Sequence, residues 1–335
     1  MKSPKITVLM AAFNSSAYIS EAISSILSQT FQDFELLIIN DGSGDNTVNI
    51  INSFKDERIR LLHNSQNKGL VYTRNRALEE ARGDYIAVLD SDDVALPDRL
   101  HLQYEFMTDN LPTALCSGHA EIIDEKGALT GEKFIVPTGK HVEMHMLFGN
   151  PFIHSSAIFN TAAFRELNGY RNYAPAEDFD LFLRIAEKYP VTNIDHVLVK
   201  YRKHGDNTSI SKLYAIRETE TKILRDIYKR LQMDQDETFT EIHYNVFTRN
   251  YQANTLNEFL GVFHAFKQAN RRSKRYPKDP FEAYLFNKWY DLITLKKAGR
   301  EALPLLFKKE VFDFSYLSFK QFRRAFKQSL RAFFK

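Results

Sequence analysis

Gly83-Asp84-Tyr85-Ile86-Ala87-Val88-Leu89-Asp90-Ser91-Asp92-Asp93 is the stretch that decides how this chain folds. Residues 84–89 read as a short apolar strand, and three aspartates in four positions close it. A brief apolar run bounded in this way suits a strand buried in a parallel sheet. Carboxylates packed so closely repel one another unless a cation is present, and Mg²⁺ or Mn²⁺ favours carboxylate oxygens. The plainer alternative is an acidic turn with Asp93 as a helix cap.

Upstream the pattern repeats. Residues 6–12 read as a strand, and residues 17–29 as a helix with Ile19, Ile23, Ile26 and Leu27 on one face. A second strand over 34–39 ends in Asn40-Asp41-Gly42-Ser43-Gly44-Asp45, with Asp45 as the expected N-cap of a helix that turns Val48, Ile50 and Ile51 inward. A short strand at 59–62 leads through Asn67-Lys68-Gly69-Leu70 into a helix reaching about Arg82. Strands alternating with helices at this spacing specify an α/β layout with a mainly parallel sheet. Ligands of open parallel sheets lie beyond the carboxyl ends of the strands, so Asn14, the Asp41 turn and the Asp90–Asp93 cluster should share one edge.

Downstream, a strand is expected over 114–123, a hairpin turn at 124–127, a helix over 141–148 and a strand over 155–159. A helix over 179–188 and a last strand at 197–200 follow, before Tyr201-Arg202-Lys203-His204. Beyond about residue 210 long charged helical patterns take over, broken at Tyr276-Pro277-Lys278-Asp279-Pro280.

The chain has 335 residues and a formal charge of +3, with 44% hydrophobic and 26% charged residues, which are globular values. The charge is unevenly placed. Residues 304–335 hold eight cations and two acids, a net +6, which leaves −3 for the other 303. One cysteine, Cys116, excludes an internal disulfide and argues against a cysteine-based metal site, and a reducing compartment is expected. No segment approaches the roughly 18 apolar residues of a membrane span, and residues 6–12 are too short for a signal-peptide core, so classical secretion is not expected. There is no G-x-x-x-x-G-K-[ST], no G-x-G-x-x-G and no H-E-x-x-H, which removes P-loop, dinucleotide and zinc-hydrolase readings.

Seven segments in order carry a resemblance. They are residues 6–14; Ser28-Gln29-Thr30-Phe31; residues 39–45; Asn67-Lys68-Gly69-Leu70 with Arg74-Asn75; residues 83–86 running into 89–93; Ala176-Glu177-Asp178-Phe179-Asp180-Leu181; and Tyr201-Arg202-Lys203-His204. Across Ile6 to about Ser211 the chain resembles the inverting family-2 glycosyltransferases of the GT-A fold, which move a sugar from a nucleotide diphosphate to an acceptor hydroxyl. The resemblance implies a GT-A catalytic domain over residues 1–210, its nucleotide-sugar half about 1–95 and its acceptor half about 96–210, then a helical region over 211–335. It makes Asp92 a ligand of Mn²⁺ or Mg²⁺ and Asp90 a ribose or metal contact. Asp41 reads the base, with Asn40 standing where many members have a second aspartate, and UDP is the expected nucleotide. Ala11 keeps room for the base, while Asn14 and Arg74 are polar groups on the same rim. Asp178 is the expected base that takes the acceptor proton, kept ionised by a helix N-terminus, and Glu177 orients the acceptor side. His204 closes over the diphosphate or completes the metal shell, an ordinary surface histidine being the alternative.

No Gln-x-x-Arg-Trp motif of that family's processive synthases occurs, so one sugar per encounter is expected, and the resemblance implies bacterial polysaccharide or lipopolysaccharide assembly. A sugar nucleotidyltransferase of similar fold is the rival, but Ala12-Phe13-Asn14-Ser15 lacks its Gly-rich basic loop; a non-catalytic membrane-bound partner of another transferase is the second. At the tail, Phe319, Phe322, Phe326, Leu330 and Phe333 recur every three or four residues among Lys320, Arg323, Arg324, Lys327 and Arg331. An anionic membrane surface suits residues 317–335, against the alternative of a phenylalanine stripe docked on the body. Nucleic acid is not an expected partner, since no recognition motif accompanies the charge. The expected location is the cytoplasm, with the tail on the inner face of the membrane. The oligomeric state is not legible.

Overall fold

The computed structural model describes residues 3–205, 213–296, 298 and 301–333. The chain forms two compact units, one of Met1–Glu143 with Asn150–Thr219, the other of Met144–Gly149 with Glu220–Lys335. The boundary expected at residue 210 and the far end of the tail lie outside the described residues.

The first unit is built on a nine-stranded sheet. Its strands are β1 (Ile6–Ala12), β2 (Phe34–Asn40), β3 (Ile59–His63), β4 (Tyr85–Val88), β5 (Val94–Ala95), β6 (Leu115–Ile123), β7 (Leu129–Phe134), β8 (Ile158–Asn160) and β9 (Val191–Arg202). The order is β3-β2-β1-β4-β8-β6-β9-β5, with β7 paired to β6. Every residue of β2 and β4 is buried, as unbroken apolar strands require when helices cover both faces. The helices are α1 (Ile19–Leu27), α2 (Thr47–Ser53), α3 (Leu70–Glu80), α4 (Arg99–Asp109), α5 (Thr161–Glu166) and α6 (Glu177–Lys188). Ile19, Ala22, Ile23 and Ile26 of α1 enter the core with Ile6, Val8 and Met10 of β1. Each large aliphatic side chain buried there contributes about 1.5–3 kcal/mol.

Strand direction explains where the site falls. β2 and β4 run parallel to β1. β8 is antiparallel to both β4 and β6, so β6 points with β4, and β9 runs parallel to β6. The carboxyl ends of β1, β2, β4, β6 and β9 therefore open on one edge. Residues 13–16, 41–46, 89–93 and 203–205 all emerge there.

Three expected elements differ. Residues 141–148 contain a 3₁₀ turn, Val142–Leu147, and 155–159 divide into a 3₁₀ turn (His154–Ser156) and the short β8. β9 starts six residues before the expected 197, because tertiary bonds satisfy its polar residues: Asn193 donates to the carbonyls of Pro137 and Pro151 at 2.8 and 2.9 Å, and Asp195 pairs with His119 at 2.9 Å. Asp45 stands two residues before α2 and accepts the Thr47 N–H at 3.0 Å.

The second unit contains α7 (Leu213–Arg230) from Glu220 onward, then α8 (Glu237–Phe247), α9 (Leu256–Ser273), α10 (Lys278–Leu295), α11 (Ala302–Leu306) and α12 (Phe319–Phe333). Thr255 and Glu258 form a reciprocal capping box at the start of α9. No described helix is long and apolar enough to cross a membrane.

Candidate active site

The turns after β1 and β2 are clamped together. Asn14, at φ 49°, takes the Gly44 N–H on its side-chain oxygen at 2.9 Å and gives its own N–H to Ser43 Oγ at 3.0 Å. Asp41 is buried; its carboxylate accepts from Asn64 Nδ2 at 2.6 Å and from the N–H groups of Lys68 and Gly69, both at 2.9 Å. A carboxylate offers about four acceptor positions, so Asp41 holds the 64–69 loop first and has about one left for a ligand. Ala11 is half-buried one residue before the end of β1, and the Asp41 N–H bonds the neighbouring Ala12 carbonyl at 2.8 Å. Gly42 lies at φ 75°, and a Cβ there would meet the Gln66 and Asn67 backbone at 2.7–2.9 Å. Gly42→Ala should therefore displace the loop that Asp41 holds, at a strain cost of about 1–3 kcal/mol. A lowered thermal midpoint is the expected result.

The Asp90–Asp93 turn is linked to the first loop by Ser15 Oγ and Ser91 Oγ, 2.8 Å apart. Its aspartates divide their work. Asp90 Oδ1 accepts from Arg74 of α3 at 3.0 Å, and the same guanidinium reaches Glu177 Oε1, at the start of α6, at 2.6 Å. Arg74 thus joins the turn after β4 to the α6 N-terminus, and its partner Glu177 lies 103 residues further along the chain. Burial pushes the Asp90 carboxyl up, but Arg74, then His154, overrides it and holds the group below the usual carboxylate range. His154 donates to or accepts from Tyr170 Oη at 2.8 Å, and its other ring nitrogen lies 3.7 Å from Asp90 Oδ2.

Asp92 Oδ2 lies 2.9 Å from His204 Nε2. Burial and then the charge of Asp90 push the Asp92 carboxyl up, with His204 opposing. Asp93 accepts the Arg202 N–H at 2.8 Å, which pins the turn to the end of β9. The Arg202 guanidinium donates to the Asp92 carbonyl at 2.8 Å and packs over Tyr18, whose ring also faces His204 at 5.0 Å.

Asp178 is half-buried, with Asn150 Nδ2 at 3.4 Å from its carboxylate. The expectation that the helix N-terminus lowers its pKa is corrected: the group is raised, first by burial and then by Glu177, against the opposing pulls of His154 and Arg74. Desolvation beside a second carboxylate outweighs the helix dipole.

Asp90, Arg74 and Glu177 are thus joined by direct bonds, with Asp178 next in chain to Glu177, and Asp92 is joined to His204. Asn14 and Asp41 bond to the loops around them, and no bond joins Ala11 to the carboxylates among the described residues. Sequence reasoning assigned no role of their own in the site to Arg202, Tyr170 or Asn150. Arg202 had one signal, its place two residues before His204. Tyr170 and Asn150 had none, because their partners are far away in the chain.

The pattern described as glycosyl transferase family 2 matches residues 7–167. An uncharacterised glycosyltransferase of Haemophilus influenzae is 32% identical over 67% of this chain and 73% of its own length. The O-antigen biosynthesis glycosyltransferase WbnJ of Escherichia coli is also 32% identical, over 67% of this chain and 89% of its own. Among solved structures, S. aureus TarS in complex with UDP-GlcNAc superposes with a TM-score of 0.58, at 16% identity over 98% of this chain and 89% of that one. The mannosyltransferase PcManGT of Pyrobaculum calidifontis, in complex with GDP-Man and Mn²⁺, gives 0.53 at 16% identity over 98% and 88%. The fold is the GT-A fold that the sequence led us to expect.

Proposed function

Because the chain belongs to glycosyl transferase family 2, we propose that it moves a hexose-type sugar from a UDP-linked donor to a hydroxyl of a glycan or lipid-linked glycan, with inversion, in one displacement. The observation that carries this reading is the Asp90–Arg74–Glu177 chain, which fixes a donor-side carboxylate and the acceptor-side helix to one guanidinium. The UDP-GlcNAc bound by TarS supports the donor class, and the O-antigen role of WbnJ supports a surface glycan acceptor. A lipid-linked acceptor would put the reaction at a membrane surface, on the cytoplasmic side, with one sugar added per encounter.

In this reading Asp41 and Ala11 border the base and Asn14 holds the rim. Asp178 takes the proton of the acceptor hydroxyl as its oxygen bonds the anomeric carbon, while the bond from that carbon to the diphosphate breaks. Glu177, paired to Arg74 and buried, orients the acceptor side and is not itself the base.

A divalent cation fits Asp92 and His204. Their facing atoms are 2.9 Å apart, close to the roughly 3 Å between neighbouring ligands of an ion bound at about 2.1 Å. A mixed oxygen and nitrogen pair suits Mn²⁺ better than Mg²⁺. Among the described residues no three candidate ligands cluster, so the remaining ligands would have to come from the bound donor or from water. When bound, the ion would neutralise charge on the departing diphosphate. The Mn²⁺ in PcManGT supports this assignment.

Titration of the full chain with UDP, with Mn²⁺ and again with EDTA, tests the reading. Binding should require the metal, and Asp92→Asn should weaken it by at least about tenfold in Mn²⁺. Absence of UDP binding in Mn²⁺ would sink the proposal. A donor-hydrolysis screen over a panel of sugar nucleotides then identifies the sugar.

A further inference from the structure

The last helix does not bury the face that its phenylalanines suggest. α12 is held in the second unit by Ala325, which packs with Phe286, Tyr290 and Leu306. Ser329 Oγ accepts the Leu303 N–H at 3.0 Å, and Gln321 Nε2 donates to Asn287 at 2.8 Å. With the helix seated on those residues, Phe319 is 78% exposed, Phe326 47% and Leu330 45%. These three lie within about 40° of one another around the helix, at 100° per residue. Phe319, Phe326 and Leu330 thus form one outward ridge.

The ridge continues into neighbouring loops. Phe326 stacks on the half-buried Phe322 at 6.2 Å, Phe322 meets Phe307 at 6.4 Å, Phe307 meets Phe312 at 4.9 Å, and Phe312 meets Phe314 at 4.9 Å. Phe307 is 38% and Phe314 79% exposed. Beside the ridge, Arg323, Lys327, Lys320, Arg331 and Arg324 occupy the rest of the outward half of α12, all exposed. Lys308 and Lys309 follow Phe307 directly, and no acid occurs from residue 314 to the end.

We propose that this surface docks on an anionic phospholipid bilayer, the phenylalanine ridge entering the boundary between headgroups and acyl chains and the cations lying on phosphates. An apolar strip of this size on a solvated helix marks an interaction site, and its cationic flank selects a negative partner with an apolar interior. A second copy of this chain would set five cations of α12 against the same five, which repel. The proposal concerns the second unit alone and stands apart from the transfer reaction.

Sedimentation of the full chain with phosphatidylcholine vesicles, with and without added phosphatidylglycerol, tests it. The protein should pellet with the anionic vesicles and remain in solution with the neutral ones. Phe319→Ser, Phe326→Ser and Leu330→Ser together should abolish pelleting, because none of them anchors the helix. Arg323→Gln, Lys327→Gln and Arg331→Gln together should weaken it about 100-fold, from the gain per cation near an anionic surface. UDP binding and circular dichroism unchanged in both variants exclude misfolding and separate this result from the fate of the transfer reading. No pelleting by the native chain, or equal pelleting by chain and variants, overturns the proposal. So does a lipid-free dimer, seen by light scattering, that the serine variant converts to monomer, since the ridge would then cover a second copy.

Discussion

Asp178→Asn should lower sugar transfer about 10²–10⁴-fold while UDP binding stays within experimental error and the protein becomes harder to unfold. The three outcomes follow from one position. Among the described residues Asp178 is the acidic side chain at the start of α6 that forms no ion pair: Glu177 bonds Arg74 at 2.6 Å and is buried, whereas Asp178 meets Asn150 at 3.4 Å and is half-exposed. A paired, buried carboxylate is a weak base out of reach of a substrate. One raised by burial and by Glu177 binds a proton more readily and still reaches solvent. The stability gain comes from the same shift. With a folded pKa above the unfolded value, the protonated form is the one that favours folding, so this contribution is full below the unfolded pKa and is lost as pH rises through the folded one. Above the folded pKa the ionised group therefore weighs against the fold, and the neutral amide removes that cost. Transfer by the native protein should rise with pH through the same raised pKa, and the rise should vanish in residual transfer by the Asn variant. Undiminished transfer by Asp178→Asn, measured as UDP release with acceptor present, would end its assignment as the base.

The strands that make the shared edge were legible because buried parallel strands write themselves as apolar runs: residues 6–12, 34–39 and 84–89 fall on β1, β2 and β4 with small shifts at their ends. The first half of β9 was not, since Asn193 and Asp195 look like loop residues until Pro137, Pro151 and His119 are brought to them. The candidate site divides the same way. Asp90, Asp92 and Asp178 stand in short motifs with local signals. What those groups do to one another depends on Arg74, His154 and Arg202, whose bonds span gaps of 16 to 110 residues. Electrostatics is the least local property of a chain, so the pKa direction of Asp178 could not be taken from its place on a helix. The tail makes a parallel case: the periodicity of α12 gave its amphipathic character, but which apolar residues anchor it depends on where Leu303 and Asn287 lie.

Arg74→Met should be the most destabilising single change at the site, by about 3–5 kcal/mol in the transition of the first unit, because it leaves carboxylates buried without a counter-charge. Most of that cost belongs to Glu177, whose side chain is 4% exposed; Asp90, at 33%, retains some water and has His154 nearby. Arg74→Lys should recover only part of the loss. An ammonium must serve both acceptors from one nitrogen, whereas the planar guanidinium meets them with two separate nitrogens at 3.0 and 2.6 Å. Two further measurements separate a lost charge pair from lost packing against Tyr170, which lies under the guanidinium at 5.6 Å. Arg74 holds the Asp90 carboxyl below the usual carboxylate range, which gives the native protein stability that is present above the unfolded pKa and lost as pH falls; the variant lacks it, so its deficit in urea unfolding should shrink as the pH falls into the carboxylate range. Adding Glu177→Gln to Arg74→Met should restore much of the stability, since a neutral amide tolerates the missing partner. A deficit independent of pH and untouched by Glu177→Gln would mean that Arg74 acts through its bulk, and the Asp90–Arg74–Glu177 chain would then be packing rather than an electrostatic tie between the turn after β4 and the start of α6.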